Sequence, residues 1–299
     1  MYLDHFKFNE TPFGLTPHLG FFCQLKGHQE ALNVLLFCLR SGEGFIKIVG
    51  EVGSGKTLIC RKLLDSLDDE FVTAYIPNPD LQPIELRTAF ARELGVDSID
   101  SKDQHELLSR INERLIYFHE LGKRVVLLID EAQALPAESL EALRLLTNLE
   151  TEKSKLLQVV LFGQPELDDL LNQSRLRQLK QRITFSYYLP TLNREDLDTY
   201  LFHRLSIAGY TMGSLFNKKS RDVLFRASKG IPRIVNILCH KALLIAYGKG
   251  EHKINHKIMK LAVKDTELEY VYDRYFVTIL VTVVVLMIVL LLYFYQGII

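Results

Sequence analysis

Residues Gly50 to Thr57 read Gly-Glu-Val-Gly-Ser-Gly-Lys-Thr and match the pattern G-x-x-x-x-G-K-[ST]. The apolar run Phe45–Val49 before them predicts a buried strand, and a helix is expected after them from about Lys56 to Leu67. The glycines let backbone N–H groups face a phosphate chain, and the helix N-terminus adds partial positive charge. This stretch therefore predicts a phosphate-binding loop in an α/β protein.

The chemistry of the loop predicts ATP and Mg²⁺ as its cofactors. Lys56 is expected to reach the β- and γ-phosphates, and Thr57 is expected to give its hydroxyl to the cation. The predicted nucleotide-binding residues of this stretch are Gly50, Glu51, Val52, Gly53, Ser54, Gly55, Lys56, Thr57 and Leu58.

An acidic pair, Asp130-Glu131, follows the wholly apolar run Val125–Ile129. A strand of this kind delivers the pair to the carboxyl edge of a sheet, where the ligands of such sheets bind. Asp130 is expected to hold Mg²⁺ directly or through water, and Glu131 to orient and deprotonate the attacking water. A bare acidic pair is more often a surface turn, but the upstream loop favours the catalytic interpretation.

Apolar strands alternate with helical segments as far as Pro190. Further strands are expected at Val72–Ile76, Leu156–Phe162 and Thr184–Leu189. This alternation predicts a parallel sheet covered by helices on both faces. Beyond Pro190 only helical periodicity remains, which predicts a small all-α domain. The first two dozen residues, rich in Pro and Gly between aromatics, are expected to form an extended arm laid over a domain.

Several short pieces of the sequence resemble one class of P-loop proteins. An additional strand lies between the two motif strands in sequence, and the acidic pair includes a glutamate, as in the AAA+ class. More narrowly, residues 1–267 resemble the ExeA/GspA family of secretion and pilus ATPases, and within it the branch that serves the mannose-sensitive haemagglutinin pilus. The pieces that carry the resemblance are Asn9–Pro17, Gly27–His28, Gly50–Thr57, Asp130–Gln133, Gly163–Leu167 and Gly230–Arg233.

The resemblance implies an AAA+ P-loop NTPase fold and roles for residues outside the two motifs. Gln164 takes the sensor 1 place beside the γ-phosphate, and Arg233 fits sensor 2, which makes it a further nucleotide-binding residue. Arg182 best fits an arginine finger for a neighbouring subunit, with Arg175 and Arg177, or a solvated basic face, as open alternatives. The implied catalytic set is Glu131, Lys56, Gln164, Arg182 and Arg233.

The family implies a homo-oligomeric, ring-like ATPase that couples turnover to assembly or remodelling of a pilus- or secretion-type envelope complex. The proteins of that complex are the expected partners. Two other functions stay open: a nucleotide-gated scaffold that hydrolyses rarely, and a DNA-handling AAA+ ATPase. Lys plus Arg equals Asp plus Glu, 36 each, so the summed charge does not favour nucleic acid as a partner.

The C-terminal part of the sequence predicts a membrane span. Phe276–Tyr295 contains about 20 residues without a charge, which is the length needed to cross a hydrocarbon core. Tyrosines stand at both ends of this run, and Lys and Arg occur only before it. The positive-inside rule therefore predicts a single-pass protein of the bacterial inner membrane with its N-terminus and bulk in the cytoplasm. The predicted domains are a nucleotide-binding α/β domain (1–190), a helical lid (191–268) and a juxtamembrane segment with the transmembrane helix (269–299).

The four cysteines are scattered along the chain, without a C-x-x-C pair. This spacing indicates neither a zinc site nor a disulfide framework. Buried thiols in a reducing compartment are the expectation.

Overall fold

A computed structural model of the protein describes residues 2–96, 104–149 and 155–266. Over these residues the chain forms a five-stranded sheet with helices on both faces, followed by a helical region (191–266). The strands are β1 (Phe45–Gly50), β2 (Phe71–Ile76), β3 (Arg124–Ile129), β4 (Leu157–Gly163) and β5 (Ile183–Leu189).

The helices confirm the predicted alternation and add short elements that the sequence pattern did not indicate. Eight helices precede or separate the strands: α1 (Tyr2–Phe6), α2 (Lys26–Arg40), α3 (Lys56–Ser66), α4 (Pro83–Glu93), α5 (Gln104–Glu120), α6 (Ala137–Leu146), α7 (Glu166–Leu171) and α8 (Arg177–Arg182). The helical region contains α9 (Arg194–Ile207), α10 (Lys218–Ser228), α11 (Pro232–Gly248) and α12 (His256–Asp265). Three 3₁₀ turns occupy Leu19–Phe21, Ala132–Ala134 and Ser174–Leu176.

All strand pairs are parallel, and the strand order is β2-β3-β4-β1-β5. Strand β4 therefore lies between β1 and β3, although it follows both of them in sequence. Val49 pairs with Gly163, and Ile129 pairs with Leu161, so the three strands end at one edge. This order brings the ends of both motif strands and of β4 together, as expected for a ligand site at the carboxyl edge.

The two faces of the sheet pack against different helices because side chains alternate along each strand. Val125, Leu127 and Ile129 of β3 face a core formed with α4, α5 and α6. Val126 and Leu128 face the second core, formed with α2 and α3. Since both faces are buried, β3 is apolar from Val125 to Ile129, and this is why the sequence predicts it correctly.

Capping residues explain where the helices beyond Pro190 begin. Asn193 accepts the backbone N–H of Asp196, whose carboxylate accepts the N–H of Asn193, so α9 starts with a capping box. Pro232 occupies the first position of α11, where its missing N–H costs nothing. The predicted change to all-helical structure near Pro190 agrees with these boundaries.

The N-terminal arm packs on the helical region, although the sequence groups it with the α/β domain. Phe6, Phe8 and Phe13 lie in one apolar cluster with α9, α10, α11 and α12. Arg204 of α9, only 7% exposed, holds the arm by donating to the backbone carbonyl of Pro12 at 2.6 Å. The arm also begins with helix α1 rather than running extended throughout. The aromatic residues of the arm are buried there because α9 to α12 supply the apolar side chains of this cluster.

The sequence also predicts buried cysteines and a membrane span. All four cysteines are buried and free, as expected. Within 2–96, 104–149 and 155–266, no helix has the length and apolar character required to span a bilayer. The predicted span, 276–295, lies outside the described part of the chain.

Candidate functional site

The loop between β1 and α3 forms a cradle at the carboxyl edge of the sheet. Gly53 and Gly55 adopt the left-handed region, with φ of 79° and 105°, which a side chain would strain. Within the described residues, the backbone N–H groups of Gly53, Gly55 and Lys56 have no backbone acceptor. The Ser54 hydroxyl is also buried without a hydrogen-bond partner there. Unsatisfied donors around a glycine loop fit a phosphate chain.

The other residues of the loop lie at its rim. Glu51 accepts a hydrogen bond from the Tyr188 hydroxyl of β5 at 3.0 Å. Val52 is 53% exposed, and Leu58 is half-buried in the first turn of α3. Val52 and Leu58 carry no charge, whereas the Glu51 carboxylate is one of the charges that oppose the lowering of the Lys56 pKa.

Lys56 is folded onto the loop that precedes it. Its ammonium donates to the backbone carbonyls of Gly50 at 2.8 Å and Glu51 at 3.0 Å. Burial lowers the pKa of Lys56, while the carboxylates of Glu131 and Asp130 act in the opposite direction. The side chain thus lies where phosphate oxygens could replace the carbonyls.

Thr57 and Asp130 form the predicted cation site. The Thr57 hydroxyl donates to the Asp130 carboxylate at 2.6 Å. Burial raises the pKa of Asp130, an effect that a bound cation would oppose by favouring the carboxylate. Among the described residues, no group of three or more His, Cys, Asp or Glu side chains could hold a metal. One hydroxyl and one carboxylate suit Mg²⁺, which is usually held by few protein ligands together with phosphates and waters.

Glu131 follows Asp130 in an unusual backbone conformation. Its φ is 51°, in the left-handed region. Its carboxylate oxygen Oε2 accepts hydrogen bonds from the amide groups of Gln133 at 2.6 Å and Gln164 at 2.8 Å. Burial raises the pKa of Glu131, but these bonds and the Lys56 charge outweigh burial, so the pKa is lowered. Glu131 is therefore an ionised carboxylate beside the cradle.

Two residues near the site were assigned no role from the sequence. Gln133 bonds both Glu131 and the backbone N–H of Gln164, the latter at 3.0 Å. His28 of α2, buried against the loop, donates from Nε2 to the carbonyl of Ser54 at 3.2 Å. Burial lowers the pKa of His28, which favours the neutral ring. Both residues lie within pieces that carry the family resemblance, which was the only signal that could have found them.

Arg233 brings the helical region onto the loop. Its backbone N–H donates to the carbonyl of Gly53 at 3.2 Å. A Cβ added to Gly53 would lie only 2.4 Å from the Cβ of Arg233, so the two backbones are in contact. At the same junction the backbone of Gly230, with φ of 74°, approaches Leu192. The predicted sensor 2 residue thus lies beside the cradle.

The three candidate arginine fingers have no contact with the phosphate cradle among the described residues. Ile183 pairs with Phe45 at the start of β1, so Arg182 sits at the end of the sheet opposite Gly50. Its guanidinium donates to the Arg144 carbonyl at 3.3 Å and to Thr147 at 3.2 Å, near the end of α6. Six residues of strand separate these two ends by about 16 Å.

Arg175 and Arg177 precede Arg182 in the sequence and differ in their partners. Arg175 forms an ion pair with Glu138 at 2.6 Å. Arg177 is exposed, and no partner for it occurs among the residues that the structure describes. None of the three reaches the cradle of its own chain.

This chain is similar to known proteins in sequence. Residues 39–171 match the family model described as an AAA domain. The general secretion pathway protein A of Aeromonas hydrophila is 44% identical over 262 residues, which are 88% of this chain and 48% of that protein. The chain therefore spans about half the length of this curated relative.

Solved structures with the same fold are more distant in sequence. The ORC2 protein of Aeropyrum pernix, in its ADPNP-ADP complexes, superposes with a TM-score of 0.58 at 17% identity, covering 83% of this chain and 72% of that one. Cdc6p of Pyrobaculum aerophilum gives a TM-score of 0.60 at 17% identity, with 84% and 68% covered. The RuvB branch migration motor of Thermotoga maritima gives 0.51 at 17% identity, with 85% and 73% covered. These likenesses concern the fold alone.

The fold, the glycine loop and the acidic pair together define a P-loop ATPase of the AAA class. The chain is a homologue of general secretion pathway protein A, which confirms the resemblance to the ExeA/GspA family. The residues present fit a nucleotide with its cation: the loop offers unpaired donors, Lys56 offers a charge, and Thr57 with Asp130 offers oxygens.

Proposed function

We propose that this protein is a membrane-tethered AAA+ ATPase that couples ATP binding and hydrolysis to assembly or remodelling of a pilus- or secretion-type envelope complex. One observation carries the proposal of hydrolysis: the carboxylate of Glu131, which follows the strand end at Asp130, is held by the amides of Gln133 and Gln164. The homologue is named as a secretion pathway protein, which supports envelope assembly proteins as the partners.

In this proposal each residue of the site has one task. Lys56 and the loop N–H groups bind the phosphates, while Thr57 and Asp130 hold Mg²⁺. The cation supplies charge for the transferring phosphoryl group when it is bound. Glu131 orients the attacking water and accepts its proton. Gln164, at the end of β4, acts as sensor 1.

The helical region serves as the lid in this proposal. The proposed domain bounds are 1–190, 191–268 and 269–299, with the N-terminal arm of the first domain packed on the lid. The contact between the Arg233 backbone and Gly53 supports this role because it joins α11 directly to the loop. A change in the phosphates is then transmitted to the helical region through Arg233 acting as sensor 2.

The active unit is a homo-oligomer in which an arginine acts on the neighbouring subunit's ATP. Arg182 lies at the opposite end of the sheet from the cradle, so it can act on ATP only in a neighbouring subunit. Arg175 and Arg177 have no contact with the cradle of their own chain among the described residues, which also favours action in trans. Arg177 is favoured as the first to test because it is exposed, whereas Arg182 bonds to α6 within its own chain. An arginine in this role stabilises transition-state charge.

Mixing inactive Glu131→Gln subunits with inactive Arg177→Ala subunits is expected to restore part of the ATPase activity. The mixture creates interfaces in which one subunit supplies an intact glutamate and the other an intact arginine. The measurement is phosphate release as a function of mixing ratio, with the Arg182→Ala mixture run in parallel. If only the Arg182→Ala mixture recovers, Arg182 is the finger. If neither recovers although subunit exchange is shown, both assignments in trans are wrong.

The full chain is expected to stay in the membrane fraction through washes with alkali and with high salt. Salt screens surface charge contacts, but it does not release about 20 buried apolar residues. A reporter active only outside the cytoplasm should be silent when fused before Met1. Replacing Val284 and Ile288 by arginine should release the protein, because each arginine makes membrane insertion less favourable by about 2.5 to 3.5 kcal/mol. A wild-type chain recovered without detergent would contradict the tether and leave the ATP site standing.

A further inference from the structure

Gln133 makes two hydrogen bonds that together fix the orientation of its amide. Its nitrogen donates to Oε2 of Glu131 at 2.6 Å, and its oxygen accepts the backbone N–H of Gln164 at 3.0 Å. A reversed amide would place oxygen against the carboxylate and nitrogen against an N–H group, so both bonds would be lost. Gln133 thus ties the end of β3 to the end of β4.

The two amides bond the same oxygen of Glu131. Gln133 and Gln164 both donate to Oε2, and no donor to the other oxygen, Oε1, occurs among the described residues. A carboxylate anchored by one oxygen keeps the second available for water. This is the arrangement that a residue orienting water requires.

The backbone of Glu131 depends on these bonds as well. A non-glycine residue at φ of 51° is disfavoured by about 1 to 3 kcal/mol and persists only where its surroundings hold it. The N–H of Glu131 also donates to its neighbour Asp130 at 3.0 Å. Without Gln133, the glutamate loses one of two side-chain anchors and can relax toward an ordinary conformation.

We infer that Gln133 is a positioning residue that keeps Glu131 in place for attack on ATP, an inference that rests on the proposed hydrolysis. Gln164 divides its two amide N–H donors in this proposal, because sensor 1 is assigned to the γ-phosphate while the same nitrogen donates to Glu131. Gln133 has no contact with the cradle among the described residues, and its amide nitrogen donates there to Glu131 alone. Gln133 is therefore the donor that stays on Glu131 whether or not Gln164 turns to the nucleotide.

The test compares Gln133→Met with Gln104→Met in the full chain. Methionine has nearly the same length as glutamine but no amide, and Gln104 lies on α5, away from the site. Gln133→Met is expected to lower kcat by roughly 10- to 100-fold, the size of effect that small misplacements cause. The Kd for Mg-ATP should stay within about twofold, because no phosphate contact is removed. Gln104→Met should match the wild type in kcat and in the Kd for Mg-ATP.

A double-mutant cycle separates positioning from a general structural role. In a Glu131→Gln background, the added Gln133→Met change should lower single-turnover hydrolysis no further, since its target is already gone. Equal losses in both backgrounds, or a wild-type kcat for folded Gln133→Met, would overturn the inference. If the methionine variant does not fold, Gln133→Leu decides, because it keeps much of the side-chain volume, adds no charge and cannot donate. Failure of the hydrolysis proposal would look different from failure of the Gln133 inference, because Glu131→Gln alone would then retain turnover.

Discussion

Replacing Glu131 by glutamine is expected to leave ATP bound and to reduce turnover by roughly 100-fold or more. The carboxylate acts on the water, so it contributes little to the ground-state complex. The new amide oxygen can take the place of Oε2 and accept the bonds from Gln133 and Gln164. The substitution therefore removes the base while preserving the geometry that surrounds it.

Phosphate release under saturating Mg-ATP and equilibrium binding of a fluorescent ATP analogue measure the two effects separately. Glu113→Gln on α5 is the matched control, since its carboxylate is exposed and accepts only from Ser109 among the described residues. Hydrolysis unchanged in Glu131→Gln would place the base elsewhere. An unmutated oligomer that binds ATP but does not hydrolyse it beside its partner would favour a nucleotide-gated scaffold.

The strands and long helices could be predicted because burial on both faces of the sheet demands apolar runs. β3 and β4 are buried at nearly every position, and α5 and α11 are long enough to show helical periodicity. Helices α7 and α8 have six residues each, too few for periodicity, and α7 has three acids in its first turn. Such short elements form because the connection between β4 and β5 must cover the core.

The placement of the arm depends on contacts that no local pattern contains. Its aromatic residues indicate burial, but the surface that buries them lies about 190 residues further along the chain, where Arg204 bonds Pro12. Burial can thus be predicted for Phe13 while its partner cannot. The strand order likewise cannot be read from local patterns, since β4 follows β1 and β3 in sequence but lies between them in the sheet.

The candidate site also contains residues that the sequence motifs reveal and residues that only the fold reveals. Lys56, Thr57, Asp130 and Glu131 follow from two contiguous motifs, whose residue types and spacing carry the chemistry. The role of Gln133 becomes visible only when the fold brings it against Gln164, 31 residues later. Motifs therefore supply the reacting groups, and the fold supplies the residues that hold them.

Lys56→Ala is expected to weaken Mg-ATP binding by roughly 100-fold or more. Each charge-assisted hydrogen bond to a phosphate contributes about 1.5 to 3 kcal/mol, and Lys56 can make two. Its ammonium now holds the Gly50 and Glu51 carbonyls and can exchange them for phosphate oxygens without leaving the cradle. Lys62→Ala, on the same helix and ion-paired with Asp65, is the matched control and should bind normally. Isothermal titration of the full chain in detergent measures both variants. If folded Lys56→Ala bound Mg-ATP as tightly as the control, the loop would not be the phosphate cradle, whatever its sequence.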